Sequence, residues 1–145
     1  MYFEDFSLYT VWDIAPVVIE KEKMLAFARD YDPLPVHTDE EYARGTRFGA
    51  LIAPGVMTFM SIWSAFLGQN RFGDELIAGK STKMEWHKPV FAGDTLNARA
   101  EITALTAHSM HSGIVEVTVT AINQKGVRVL TDVTEIVVKR RAQME

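Results

Sequence analysis

The second half of the chain alternates apolar and polar residues with a period of two. Thr82, Met84 and Trp86 are interleaved with Lys83, Glu85 and His87. Leu96, Ala98, Ala100 and Ile102 are interleaved with Asn97, Arg99, Glu101 and Thr103. Val115, Val117, Val119 and Ala121 alternate with Glu116, Thr118 and Thr120, and residues 127–138 are rich in β-branched side chains. Side chains along a strand point to opposite faces in turn, so these stretches predict strands with one covered and one solvated face. Asn123-Gln124-Lys125-Gly126 provides a tight hairpin connection in which Gly126 can take positive φ, and Phe91-Ala92-Gly93-Asp94 provides a second turn. The alternation puts His87 on the exposed side.

The first half has a different period. Residues 17–19 read as a short strand or lead-in. Residues 21–30 carry Met24, Leu25, Phe27 and Ala28 at helical spacing. Asp32-Pro33-Leu34-Pro35 then excludes helix, because each proline fixes its own φ and pushes its predecessor toward extended geometry. Thr38-Asp39-Glu40-Glu41 fits a capping box, with Thr38 as cap and Glu41 reaching back, so a short helix is expected at 39–44. Residues 48–68 contain no charge. That length approaches a bilayer span, but Pro54-Gly55 interrupts it and leaves a segment too short to cross. The remainder, 55–68, is expected to be a helix buried on nearly all sides, with Thr58, Ser61 and Ser64 as a small-polar stripe that lets a sheet come close.

Helices followed by long antiparallel strands give an α+β class, here a curled antiparallel sheet wrapped around one long buried central helix. Neither an internal repeat nor a Gly/Ser linker interrupts the chain, so 1–145 is expected to be a single domain. The 145 residues are 48% apolar and 23% charged, which excludes disordered and low-complexity classes. Lys plus Arg is 15 and Asp plus Glu is 19, giving 15 − 19 = −4, a poor balance for binding nucleic acid. Cysteine is absent, so disulfides, thiolate metal sites and cysteine nucleophiles are excluded. The opening Met-Tyr-Phe-Glu-Asp-Phe lacks a secretory pattern, and a cytoplasmic protein with no membrane partner is expected.

Asp32 and His37 lie five residues apart across two prolines. A carboxylate and an imidazole on a stiff loop can grip one water and move its protons. On spacing alone the signal is weak, because an Asp before Pro is commonly a turn former and a lone His commonly a surface or capping residue. Gly55 opens the uncharged helix, and its N–H, unshielded by a side chain, can hold a carbonyl oxygen on which negative charge develops. The plain alternative is an ordinary proline-initiated helix start. His108 and His111 flank a Ser/Met loop with no carboxylate in local spacing. HExxH-type metal spacing, a phosphate-binding glycine fingerprint and a Gly-x-Ser-x-Gly elbow are all absent, so no metal is expected. Lys139-Arg140-Arg141 reads as a solvated strand end.

The run Asp32-Pro33-Leu34-Pro35-Val36-His37, followed by Thr38-Asp39-Glu40-Glu41-Tyr42-Ala43, Phe48-Gly49 and Leu51-Ile52-Ala53-Pro54-Gly55, resembles the MaoC-like dehydratase family, which includes (R)-specific enoyl-CoA hydratases. Trp86-His87-Lys88-Pro89-Val90-Phe91-Ala92-Gly93-Asp94 is similar to that family's aromatic-x-x-Pro-Val-x-x-Gly-Asp segment, and the likeness spans residues 17–138. It implies a hot-dog fold and reversible hydration of a trans-2-enoyl-CoA thioester to a 3-hydroxyacyl-CoA of R configuration. Asp32 and His37 would form the catalytic dyad, and Gly55 N–H would polarise the thioester carbonyl. Coenzyme A would enter as part of the substrate, no cofactor would be needed, and a homodimer or larger homo-oligomer is expected. Leu34 stands where the family has Asn, and Pro54 where it has His before the glycine. Met57, Met60, Trp63 and Trp86 could shape the acyl end or belong to the core. Two rivals remain: a non-catalytic acyl-CoA-binding or regulatory module, and a thioesterase, against which the lack of Asp or Glu in 49–68 weighs.

Overall fold

In the computed structural model, which describes residues 1–142, the alternating segments pair into one antiparallel sheet. The strands are β1 Val11–Val18, β2 Leu76–Trp86, β3 Thr95–Ala107, β4 Ser112–Ile122 and β5 Arg128–Lys139, in the spatial order β1-β3-β4-β5-β2. β3 and β4 keep the expected alternation, with Ile102, Val115, Val117 and Val119 buried, and the β-branched run of β5 buries Leu130, Ile136 and Val138. They join one core with Phe59, Ile62 and Phe66 of helix α4, Gly55–Gly68. Burying each such side chain stabilises the fold by roughly 1.5–3 kcal/mol. The two expected turns form. Gly126 has φ +74° and donates to Asn123 O at 3.0 Å. Gly93 has φ +87°, and the buried Asp94 accepts from Phe91 N–H and Gln124 Nε2, both at 2.9 Å.

Strand β1 is longer than the lead-in expected at 17–19. Its alternation breaks at Ala15-Pro16, which an edge strand tolerates, and the register shifts between Ile14 and Val17. The edge it leaves is covered by one side chain from the end of α4. Gln69 accepts from Ala15 N–H at 2.8 Å and donates to Asp13 O at 3.0 Å.

Three shorter helices precede α4: α1 Lys21–Tyr31, α2 Pro35–Thr38 and α3 Glu40–Arg44. α2 corrects the expectation that the Pro33–Pro35 pair excludes helix. Pro35 takes the first helical position, where its fixed φ is suitable and its missing N–H is not needed. The cap of α3 is Asp39, which accepts from Tyr42 N–H at 3.1 Å; Thr38 instead donates back to Leu34 O at 3.2 Å. Lys21 pairs with Glu40, tying α1 to α3 and holding the Glu40 carboxyl below its usual range.

On α4 the buried face is Met57, Thr58, Phe59, Ile62 and Phe66, while Val56, Met60, Ser64 and Leu67 stay exposed within the single chain. The helix is therefore less enclosed than expected, because one sheet covers only one side. The three small polar residues do not share a face. Steps of three drift by about 60° each on a helix, and here they carry the stripe from buried Thr58 to exposed Ser64. Among the described residues no helix is long and apolar enough to cross a membrane.

Candidate active site

The start of α4, the α2 turn and the segment after β2 enclose a cavity of about 430 Å³. Asp32, His37 and Gly55, the three residues singled out in the sequence, all line it. Asp32 is the residue at which α1 ends, and the single turn of α2 brings His37 back beside it. His37 Nε2 lies 3.3 Å from Asp32 Oδ2. The imidazole is buried, at 6% exposure, and its backbone is held by Leu34 O at 2.9 Å. The loop is further fixed by Asp39 N–H to Pro35 O at 2.9 Å and Ile52 N–H to Val36 O at 3.3 Å. These bonds, with Thr38 to Leu34 O, steady the turn although Leu34 itself offers no polar side chain.

His37 Nδ1 lies 2.7 Å from Ile52 O. A carbonyl oxygen only accepts, so Nδ1 carries the hydrogen. With Nδ1 so engaged, the neutral tautomer of the ring is the one that presents an Nε2 lone pair toward Asp32. Two acceptors face the same space, an arrangement suited to a guest that brings hydrogens to both.

Gly55 meets the cavity from the other side. A β-carbon at this position would lie 2.3 Å from Trp86 Cε2 and 2.4 Å from its Nε1. Glycine here lets the half-exposed indole lie over the helix start and flank the first amide. The cavity's only carboxylate among the described residues is Asp32, whereas Arg47, Lys88 and His87 also line it. Arg47 and Lys88 form no ion pair there; Arg47 sits 4.9 Å over the Phe48 ring. The rim is thus basic on a chain of net charge −4.

His87 corrects the sequence reading. It is half-buried, it follows the last residue of β2, and its Nε2 lies 2.9 Å from Thr131 Oγ1. Strand alternation does not extend past Trp86 because Pro89 approaches. Arg47, Phe48 and Thr58 were likewise not anticipated as lining. His108 and His111 are on the β3–β4 connection and are not among the lining residues.

A five-stranded antiparallel sheet around a central helix, with a polar pocket at that helix's start, is the hot-dog architecture. Residues 10–132 match the family described as FAS1-like, dehydratase domain region. The chain belongs to the MaoC-like group of hot-dog dehydratases and hydratases. It is 32% identical over 104 residues to the (R)-specific enoyl-CoA hydratase of Rhodospirillum rubrum, covering 72% of this chain and 71% of the relative. The crystal structure of a MaoC-like dehydratase from Rhodospirillum rubrum is similar with a TM-score of 0.88 and 29% identity over 99% of each chain. A monoamine oxidase regulatory protein from Archaeoglobus fulgius gives a TM-score of 0.88 and 30% identity, covering 97% of this chain and 95% of that one.

Proposed function

We propose that the protein is an enzyme that reversibly adds water to a trans-2-enoyl-CoA, giving a 3-hydroxyacyl-CoA of R configuration. The observation that carries this reading is the 3.3 Å pairing of His37 Nε2 with Asp32 Oδ2 in one cavity with the Gly55 amide. A water between them donates one hydrogen to each and points its free lone pair outward, toward C3 of the alkene. As its oxygen bonds to C3, one proton passes to the pair, with the Nε2 lone pair as receiver. The C2=C3 electrons move into the thioester, and negative charge collects on its oxygen. Gly55 N–H, at the positive end of α4, donates to that oxygen. The pair then returns a proton to C2 on the same face. Water's hydrogen and hydroxyl have been added, and the pair ends as it began. The thioester is the electron sink, so no cofactor is required.

Arg47 and Lys88 on the rim suit the phosphates of coenzyme A. A homodimer fits the free edge of β2 and the open apolar stripe of α4. The other sheet edge, β1, is already blunted by Pro16 and Gln69, as natural sheets do where pairing is unwanted. One observation favours a second reading, an acyl-CoA-binding regulatory module: the likeness to the regulatory protein.

The test is the fate of a panel of trans-2-enoyl-CoA thioesters, followed by mass spectrometry. A product heavier by one water with the thioester intact supports the hydratase. Free coenzyme A indicates a thioesterase, and tight binding without change indicates the regulatory module.

A further inference from the structure

Thr58 is enclosed, at 1% exposure, yet its hydroxyl has no hydrogen-bond partner among the described residues. No fully enclosed side-chain oxygen or nitrogen among those residues is left unpaired. The Thr58 side chain borders the cavity of Asp32, His37 and Gly55, which offers its hydroxyl a partner from that side. A helical threonine has an easy internal alternative, the carbonyl four residues back. Within this chain Ser61 takes it, donating to Met57 O at 2.8 Å, and Thr38 donates to Leu34 O at 3.2 Å. Thr58 does not, although its own N–H is bonded to Pro54 O at 3.1 Å. Its proton is thus held available to a guest.

Helical side chains lean toward the N-terminus, so Thr58 covers the turn that begins at Gly55. Gly55 and Thr58 are three residues apart and share one face. We infer that the Thr58 hydroxyl is a second donor to the substrate's thioester oxygen, completing with Gly55 N–H a two-donor cradle for the enolate-like state. The inference rests on the hydratase reading. It names a catalytic residue that no signal in the sequence separated from a stripe of small residues.

The experiment compares wild type, Thr58→Val and Thr58→Ser on crotonyl-CoA, with melting temperature recorded for each. Valine keeps the shape and removes the donor. It is expected to lower kcat by about 10²-fold with KM nearly unchanged, the size seen when one such donor is lost. Serine is expected to restore most of the rate. A second readout needs no turnover: wild type should bind butyryl-CoA more tightly than its thioether analogue, which lacks the oxygen, and Thr58→Val should shrink that preference. Thr58→Ala carries the same comparison if the valine variant does not fold. Wild-type kcat in Thr58→Val, or equal loss in Thr58→Ser, overturns the inference and leaves the hydratase reading standing. A wild type that hydrates no enoyl thioester overturns both.

Discussion

Replacing Gly55 by alanine separates stability from activity. A methyl at this position would lie 2.3 Å from Trp86 Cε2, where ordinary carbon contacts need roughly 3.5–4 Å. The indole must therefore retreat by more than about 1 Å. Trp86 is 52% exposed, so the ring can swing outward and the helix can stay in place. Uncovering the buried half, about 100 Å², costs at most roughly 2.5 kcal/mol. Against this, alanine in a helical position gains about 0.5–1 kcal/mol over glycine. The net loss is at most about 2 kcal/mol, a fall in Tm of no more than about 8 °C for a chain of this size. Activity should fall much further, by about 10²-fold in kcat/KM, because a methyl beside the Gly55 amide crowds the thioester oxygen that this N–H is proposed to hold. Crotonyl-CoA hydration and thermal unfolding measured on Gly55→Ala, Trp86→Ala and the double variant separate the two effects. The double variant should be about as stable as Gly55→Ala alone, because the buried half of the indole is lost once in either case, and it should not recover activity. Wild-type kcat/KM in Gly55→Ala would refute the role given to this amide.

Other consequences concern the sheet and its partner. Asp132 is fully buried on β5 with Thr82 and Thr134 as its hydrogen-bond donors and no cation beside it, so burial pushes its carboxyl above the usual range. Between the ordinary and the raised value the folded state binds more protons than the unfolded one, so this group makes stability fall as pH rises through that window. Asp132→Asn should flatten the fall and unfold at higher denaturant than wild type at pH near 7; a lower midpoint would contradict this. Met60, 47% exposed on α4, belongs to the stripe assigned to a second copy. Met60→Glu should convert a dimer in sedimentation analysis to a species of 16.3 kDa, whereas an unchanged dimer would place the interface elsewhere.

The parts legible in the sequence were those where one physical rule acts alone. Strands β3 and β4 are sandwiched between neighbours and alternate strictly over Leu96–Ile102 and Val115–Ala121, so those buried side chains could be read directly, while β5 was legible only as a β-branched run. The break at Pro54-Gly55 separated a helix from an apparent membrane segment. β1 was obscured because an edge strand can carry Asp13 and Pro16, with a glutamine from a distant helix end replacing a neighbour strand. The turn α2 was missed because Pro35 was read as a breaker when, at a first helical position, it starts the turn that sets His37 beside Asp32. Asp32, His37 and Gly55 could be named from spacing and resemblance, but their convergence on one cavity depends on the path of residues 45–54. His87 and Thr58 escaped because their roles depend on where a strand stops and which way a hydroxyl turns.

The most direct test is the initial rate at which the conjugated enoyl-thioester absorbance of crotonyl-CoA disappears, wild type beside Asp32→Asn. The Asp32 side chain is 37% exposed and makes one contact with His37 at 3.3 Å, so the variant should stay within about 1 kcal/mol of wild-type stability. Wild type should consume the absorbance, and the variant should be slower by about 10²–10⁴-fold. A folded Asp32→Asn protein that matches the wild-type rate would contradict the dyad mechanism.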